Sequence, residues 1–272
     1  MRAFANLNSK PCTIMVKMKS NFPKKVYLKV SDAEKPNTCF TNRFFTLEGE
    51  QALYVRMPIS PNRAEILVKT EEELGGGRDE NFQVVELKKL PLKRALGSFN
   101  HANPTIRNFV AFAQEFSAKA GYISAKGSIY SSNDGQFRID YLDDIVDYQS
   151  GKSLKTPARI SRRQGIIEVS KKKFSAYTVP MRMAILLHEF SHYYLNTVMS
   201  NETEADLNGL LIYLGLGYPR VDAYNVFTQV FMTSPTELNA DRMKIIDDFI
   251  RNFEGKYQDM TYNDEALYKN YL

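Results

Sequence analysis

The chain is poor in cysteine and histidine and has no long hydrophobic run, and each shortage excludes something. Cysteine occurs twice in 272 residues, at Cys12 and Cys39. The two are far apart and form no Cys-x-x-Cys pair. A disulfide framework and a cysteine-built zinc site are therefore excluded, and reduced thiols of an intracellular protein are expected. No apolar stretch reaches the roughly 18 residues that span a bilayer. The start, Met1-Arg2-Ala3-Phe4-Ala5-Asn6, leads into no hydrophobic segment of a secretory signal. The expectation is a cytoplasmic protein without a membrane partner. Histidine occurs only three times, which makes its placement informative.

What is present reads as globular. Hydrophobic residues make up 43% and charged residues 25%, so the chain can bury a core and disorder is not expected. Its length exceeds what one small core needs, which points to two domains. The net charge of +5 is mild, but the excess is local: Lys152 to Lys173 carries eight cations against Glu168 alone. Such a run reads as a solvated face or as a positive rim beside a cleft. It carries no nucleic-acid motif, so nucleic acid is not the expected partner.

Residues 1–95 read as a β-rich accessory or docking domain. Val26–Val30, Ala52–Met57, Ala64–Val68 and Phe82–Leu87 are short β-branched and aromatic runs, punctuated by Pro23, Pro36, Gly49, Pro58 and Pro61. That spacing predicts a small all-β unit, sandwich-like or a barrel, with Glu71–Gly77 as a loop. Lys88–Arg94 is the expected joint. In residues 96–272, Asn103-Pro104 caps a helix with Ile106, Phe109, Val110, Ala113 and Phe116 on one face. Ser131–Gly135 is a turn before the alternating Phe137–Tyr141. Ala158–Ile160 and Ile166–Val169 flank a hairpin at Arg162–Gly165. Later helices are expected from about Arg220 to Met232, and from a capping box at Ser234-Pro235-Thr236-Glu237.

The informative stretch is Ile185-Leu186-Leu187-His188-Glu189-Phe190-Ser191-His192. On a helix, residues four apart share a face, so His188 and His192 can ligate one Zn²⁺. Glu189 then reaches a metal-bound water without being a ligand itself. A catalytic zinc site keeps three protein ligands and one open position. A third histidine does not follow, since Leu195 and Val198 stand where the longer histidine motif needs other residues. A carboxylate does follow. In Asn201-Glu202-Thr203-Glu204-Ala205-Asp206, Glu202 and Asp206 share a helical face, with Glu204 on the far side. Glu202 can ligate the ion while Asp206 accepts the free ring N–H of a ligand histidine.

His188-Glu189-x-x-His192 followed by Asn201-Glu202-x-x-x-Asp206 resembles the gluzincin metallopeptidases, the group that contains thermolysin. The resemblance covers about residues 155–220. It implies a zincin-like domain, with Glu202 as third zinc ligand and Asp206 supporting a histidine. Only nine residues separate His192 from Glu202, short for that group, which demands a compact helical hairpin and leaves Glu204 as a fallback ligand. A second resemblance is to small zincin domains of phage-encoded proteins carrying a β module. In such folds a strand edge borders the cleft and an extended peptide adds to it; Gly165–Ser170 is the candidate edge. Tyr177, Tyr193, Tyr213, Tyr218, Arg220 and Tyr224 are candidates for stabilising an oxyanion, and His101 reads as a loop residue.

The expectation is an α+β chain: a zincin-like metallopeptidase domain preceded by the all-β domain. It holds one Zn²⁺ per chain and hydrolyses peptide bonds with Glu189 as base. Its partners are a polypeptide substrate or a partner protein, with a homo-oligomer or larger assembly left open. The alternative is a structural or assembly protein, as in a phage particle, that keeps the zinc site with little turnover.

Overall fold

The computed structural model describes residues 1–35, 37–94, 103–125, 127–232 and 236–256. His101 and the Ser234-Pro235 half of the expected capping box lie outside them. The chain is mixed α+β, with an N-terminal antiparallel sheet and a later, largely helical region.

The sheet contains β1 (Arg2–Asn6), β2 (Cys12–Asp32), β3 (Cys39–Met57), β4 (Arg63–Thr70) and β5 (Phe82–Pro91). Its order is β1-β4-β2-β3, with β5 also on β2. The far end of β2 pairs with β4 and its near end with β5. This differs from the expected set of short strands. Pro23 and Gly49 do not end strands. They fall where the β2–β3 register slips between Ser20 and Lys24, and Gly49 takes φ 66°. A bulge absorbs a residue and bends a strand without breaking it, so two long strands replace several short ones. Val16, Met18, Val26 and Leu28, from both ends of β2, share one buried cluster with Leu53, Ile66 and Val68. Val179 is the one member of that cluster from outside the sheet region. One antiparallel sheet therefore curls over its own apolar face, where a sandwich or a barrel was expected. The expected loop after β4 is the short helix α1 (Glu71–Leu74), closed by a Thr70/Glu73 capping box.

The later region has helix α2 (Pro104–Lys119), strands β6 (Ser128–Ser131), β7 (Arg138–Leu142), β8 (Ala158–Ile160) and β9 (Ile167–Ser170), and the short α3 (Lys171–Phe174). Helices α4 (Val179–Tyr194), α5 (Glu202–Gly215) and α6 (Arg220–Val226) follow. A π-helical turn at Phe227–Phe231 and α7 (Glu237–Lys256) complete it. The second sheet runs β6-β7-β9-β8. Ile139, Ile167 and Val169 on its inner face pack with Phe109 and Phe116 of α2 and Leu186 and Phe190 of α4. Helix α4 starts at Thr178, whose side chain caps Met181 N–H, and is buried on nearly every face.

The two regions are joined by specific contacts. Arg182 is fully buried and donates to four carbonyls: Phe174, Ser175, Ser117 and Asn37. Those of α2 and α3 come from helix C-terminal turns, where the backbone dipole favours a cation. Burial lowers the Arg182 guanidinium to about 10, with Tyr141 and Cys39 acting the other way. Asp222 of α6 is buried between Arg43 of β3, at 3.3 Å, and Thr178, at 3.0 Å. Among the described residues, no helix is long and apolar enough to cross a membrane.

Candidate metal centre

Helices α4 and α5 form the compact hairpin that the nine-residue spacing demands. The turn between them is tied down by its own side chains. Asn201 caps α5 by accepting from Glu204 N–H. Glu204 reaches back to accept from Thr197 N–H at 2.7 Å. Asn196 donates to the Asn201 carbonyl at 2.8 Å. Glu204 is thus occupied by the turn and is not placed as a ligand. The helices also come unusually close. A Cβ on Gly209 would stand 3.1 Å from His188 N and Leu187 C. Gly209 follows Glu202 by seven residues and Asp206 by three, so the face that carries both carboxylates lies against the histidine helix.

This approach brings His188, His192 and Glu202 together as a group that could hold a metal ion. The His188 and His192 Nε2 atoms are 3.1 Å apart, and Glu202 Oε2 lies 3.5 and 3.6 Å from them. A tetrahedral ion with bonds of about 2.0–2.1 Å separates its ligand atoms by about 3.3–3.4 Å, and the three sides bracket that value. The rings stand at 90° to each other. His192 Nδ1 lies 2.7 Å from the Met199 carbonyl, which fixes its proton there and leaves Nε2 with a free lone pair. The donor set therefore fits a divalent ion. The side chain of Glu202 is 47% exposed while both histidines are buried, so the cluster opens to solvent on the Glu202 side.

Behind this triangle, His188 Nδ1 lies 3.0 Å from Asp206 Oδ1. Both atoms lack a hydrogen bond of full geometry, so this is a close contact with poor alignment. Asp206 Oδ2 accepts from Arg242 of α7, through Nε at 3.0 Å and Nη2 at 2.6 Å. Arg242 Nη2 is also 3.7 Å from Glu202 Oε2. The His188 ring stacks on Phe231 at 4.0 Å. Burial disfavours a charged His188, but Asp206, Glu202 and Glu189 outweigh it and push the imidazole up to about 9. Contacts with His188 and His192 hold Glu202 well below the usual carboxylate range, against some burial. The same carboxylates that hold a proton on His188 could instead stand around a metal ion.

Glu189 is buried, and burial raises its carboxyl above the ordinary value, with the two histidines and the Ile160 N–H opposing. Its Oε2 accepts from Ile160 N–H at 2.8 Å. The strand bordering the site is therefore β8, the outer strand of its sheet. Gly165–Ser170 is not that edge: β9 is enclosed between β7 and β8. The hairpin places the earlier segment outermost, because the parallel partner β7 takes the other side of β9.

Four of the six residues considered as oxyanion stabilisers have polar partners elsewhere, and Tyr177 and Tyr193 have packing contacts only. Tyr213 donates to the Pro219 carbonyl and stacks on Tyr218, which accepts from Gln114. Tyr224 donates to Asp247, Arg220 pairs with Glu254, and Tyr193 lies against Gly165. Tyr177 packs at the edge of the core. The cation that does reach the cluster is Arg242, which sequence reasoning missed. It had a signal: Arg242 stands four residues before Ile246 and eight before Ile250, both buried, so a charge lies on the apolar stripe of α7. Comparison with protein-family models, curated proteins and solved structures finds no match.

Proposed function

We propose that this protein is a zinc-dependent metallopeptidase that hydrolyses peptide bonds, with His188, His192 and Glu202 holding one Zn²⁺ per chain. The carrying observation is the triangle of two imidazole nitrogens and one carboxylate oxygen, spaced for a tetrahedral ion and open on one side. Two histidines and a carboxylate suit zinc, and three protein ligands leave the fourth position of a catalytic site. When bound, the ion would supply Lewis acidity toward a carbonyl and a water.

The chain's own groups supply the rest. Glu189 takes the proton from water as the water oxygen bonds to the scissile carbonyl carbon. It returns that proton to the amine nitrogen as the C–N bond breaks. A raised carboxyl suits such a base, because its affinity for a proton is greater than that of an exposed glutamate. The Ile160 N–H fixes one oxygen of Glu189 and leaves the other for water. Asp206, steadied by Arg242, backs His188, and the Met199 carbonyl backs His192.

The test is elemental analysis of the purified protein, paired with cleavage of an unfolded protein by wild type and Glu189→Gln. One zinc per chain, cleavage by wild type and no cleavage by the zinc-loaded variant are expected. Zinc that is absent and not taken up on dialysis would overturn the metal reading. Zinc with no turnover in either protein would favour the structural alternative.

A further inference from the structure

We propose that Phe231, held by the π-helical turn after α6, is the positioning residue for His188: its ring fixes the imidazole plane and shields the His188–Asp206 contact from water. This rests on the reading of the cluster as a metal site and adds to it a residue that touches no metal.

The two histidines are held differently. His192 has a short contact that fixes its ring, Nδ1 to the Met199 carbonyl at 2.7 Å. His188 has the 3.0 Å approach of Nδ1 to Asp206 Oδ1, in which neither atom makes a hydrogen bond of full geometry. Rotation of an imidazole about its Cβ–Cγ bond is soft, so that contact alone does not set the ring plane. A flat wall does. The Phe231 ring lies 4.0 Å from the His188 ring, centroid to centroid, with 25° between their planes. At that separation the two faces are in van der Waals contact. Turning the imidazole out of its plane drives it into the phenyl ring, so Nε2 stays aimed at the triangle and Nδ1 at Asp206.

The turn that delivers this ring is unusual. On an α-helix residues four apart share a face, and Ala223 and Phe227 do so, both buried. Phe231 is next in that series but is only half-buried. The chain has widened into a π-helical turn, closed by Met232 N–H on the Phe227 carbonyl at 2.8 Å. The Thr228 hydroxyl donates to the Tyr224 carbonyl at 2.9 Å within it. Such turns are rare and are frequent at functional sites. Here the wider turn sets Phe231 off the buried stripe and onto the imidazole. Behind the pair lies a cavity of about 10 Å³, whose walls include His188, Asp206, Gly209, Phe227 and Phe231. That is room for one water at most. Of these five, only Phe231 is half-exposed, so its removal opens the cavity to solvent.

The experiment uses the full chain and three substitutions. Phe231→Tyr keeps the flat ring, Phe231→Leu keeps apolar bulk without it, and Phe231→Ala removes both. Val226→Ala is the control for stability: it opens a cavity in the same core but does not line the one behind His188. Zinc affinity is measured by competition with a chromophoric chelator, and ligand geometry by the visible spectrum of the cobalt-loaded protein. Phe231→Ala should weaken zinc about tenfold. Phe231→Ala and Phe231→Leu should both change the cobalt spectrum, while Phe231→Tyr and Val226→Ala leave affinity and spectrum as in wild type. A third readout needs no metal. The chain has three histidines, so ¹⁵N labelling of histidine resolves the His188 Nδ1–H, whose exchange with water should be faster in Phe231→Ala than in wild type. Phe231→Ala with the zinc affinity and cobalt spectrum of wild type overturns the proposal. So does Phe231→Leu with the wild-type spectrum, which would make bulk sufficient, or Val226→Ala weakening zinc as much as Phe231→Ala, which would make stability the cause. If the wild type takes up neither metal, the metal reading falls and the exchange measurement still decides. Faster exchange in Phe231→Ala then upholds the positioning of His188, and equal rates overturn it.

Discussion

Arg242 and Asp206 meet in the buried ground behind the histidine pair, with two donors of the guanidinium on one carboxylate oxygen at 3.0 and 2.6 Å. The other oxygen of Asp206 faces His188 at 3.0 Å. Helix α7 is thereby coupled to His188, which lies more than fifty residues earlier in the chain. The Asp206 side chain is 0% exposed, so Arg242 and His188 stand around it where water would otherwise be.

Arg242→Met keeps the length of the side chain and removes its charge. An uncompensated buried carboxylate costs about 3–5 kcal/mol, and loss of a group that orients a ligand weakens metal binding about 10–100-fold. Thermal melts and competition with a chromophoric chelator measure the two separately. Adding Asp206→Asn should restore much of the stability, because both charges are then gone, while zinc binding stays weak. If the double variant binds zinc like wild type, Asp206 does not support the site.

Gly209→Ala places a methyl 3.1 Å from His188 N and 3.2 Å from the Leu187 carbonyl. These are backbone atoms, so α5 must move away from α4 and take Glu202 with it. Overpacking of this kind costs about 1–3 kcal/mol, and zinc affinity should fall with it. Gly255→Ala in α7 meets nothing within 4 Å and should stabilise by up to about 0.5 kcal/mol through helix propensity alone. Opposite signs in the two melts are expected.

The two acids at the start of α5 should separate cleanly. Glu202→Ala removes a donor of the triangle and should abolish stoichiometric zinc. Glu204→Ala removes only its hold on the Thr197 and Val198 N–H groups, so it should lower the melting temperature slightly and leave zinc in place. Elemental analysis after exhaustive dialysis decides. Zinc lost from Glu204→Ala and kept by Glu202→Ala would move the ligand by two residues.

The parts of this site that sequence alone exposes are those set by helical periodicity. His188 with His192, and Glu202 with Asp206, follow from a spacing of four, and Asn201 announces the start of α5. The rest depends on contacts between distant segments. Arg242 is 36 residues from Asp206, and its identity as a partner is fixed by how α7 packs. The choice of β8 as the bordering strand turns on whether β7 pairs with β8 or β9, and a run such as Ile166–Val169 reads the same in either position. In the N-terminal sheet, Pro23 and Gly49 are strand breakers by propensity, yet a register slip lets both long strands continue.

Stability should also carry the signature of Asp222. Burial raises its carboxyl above the ordinary value, and Arg43 and Thr178 only partly oppose this. A raised carboxyl means that the folded chain holds a proton that the unfolded chain releases. Stability is therefore lost as pH rises from the unfolded value near 4 to the folded value. Asp222→Asn has no such loss. Its melting temperature relative to wild type, measured in EDTA, should climb as pH rises through that window and then level off. A difference independent of pH would mean that Asp222 ionises as an exposed residue does.

The last prediction concerns the expected division near residue 95. The ligand triangle, Asp206, Glu189 and Arg242 all lie beyond it, so residues 96–272 contain the whole metal cluster. Yet the cut removes Arg43 from Asp222, the Asn37 carbonyl from Arg182, and the sheet from Val179. Arg182 keeps three of its four carbonyls, and Val179 loses only contact area. Asp222 is the exposed weakness, since a buried carboxylate stripped of its cation costs about 3–5 kcal/mol. The fragment should bind zinc but melt well below the full chain. Asp222→Asn should then raise the melting temperature of the fragment by more than it raises that of the full chain. Melts of all four proteins, with and without zinc, test this. A fragment as stable as the full chain would show the two regions to be independent, and a fragment that the substitution does not help would place the loss at Arg182 or Val179.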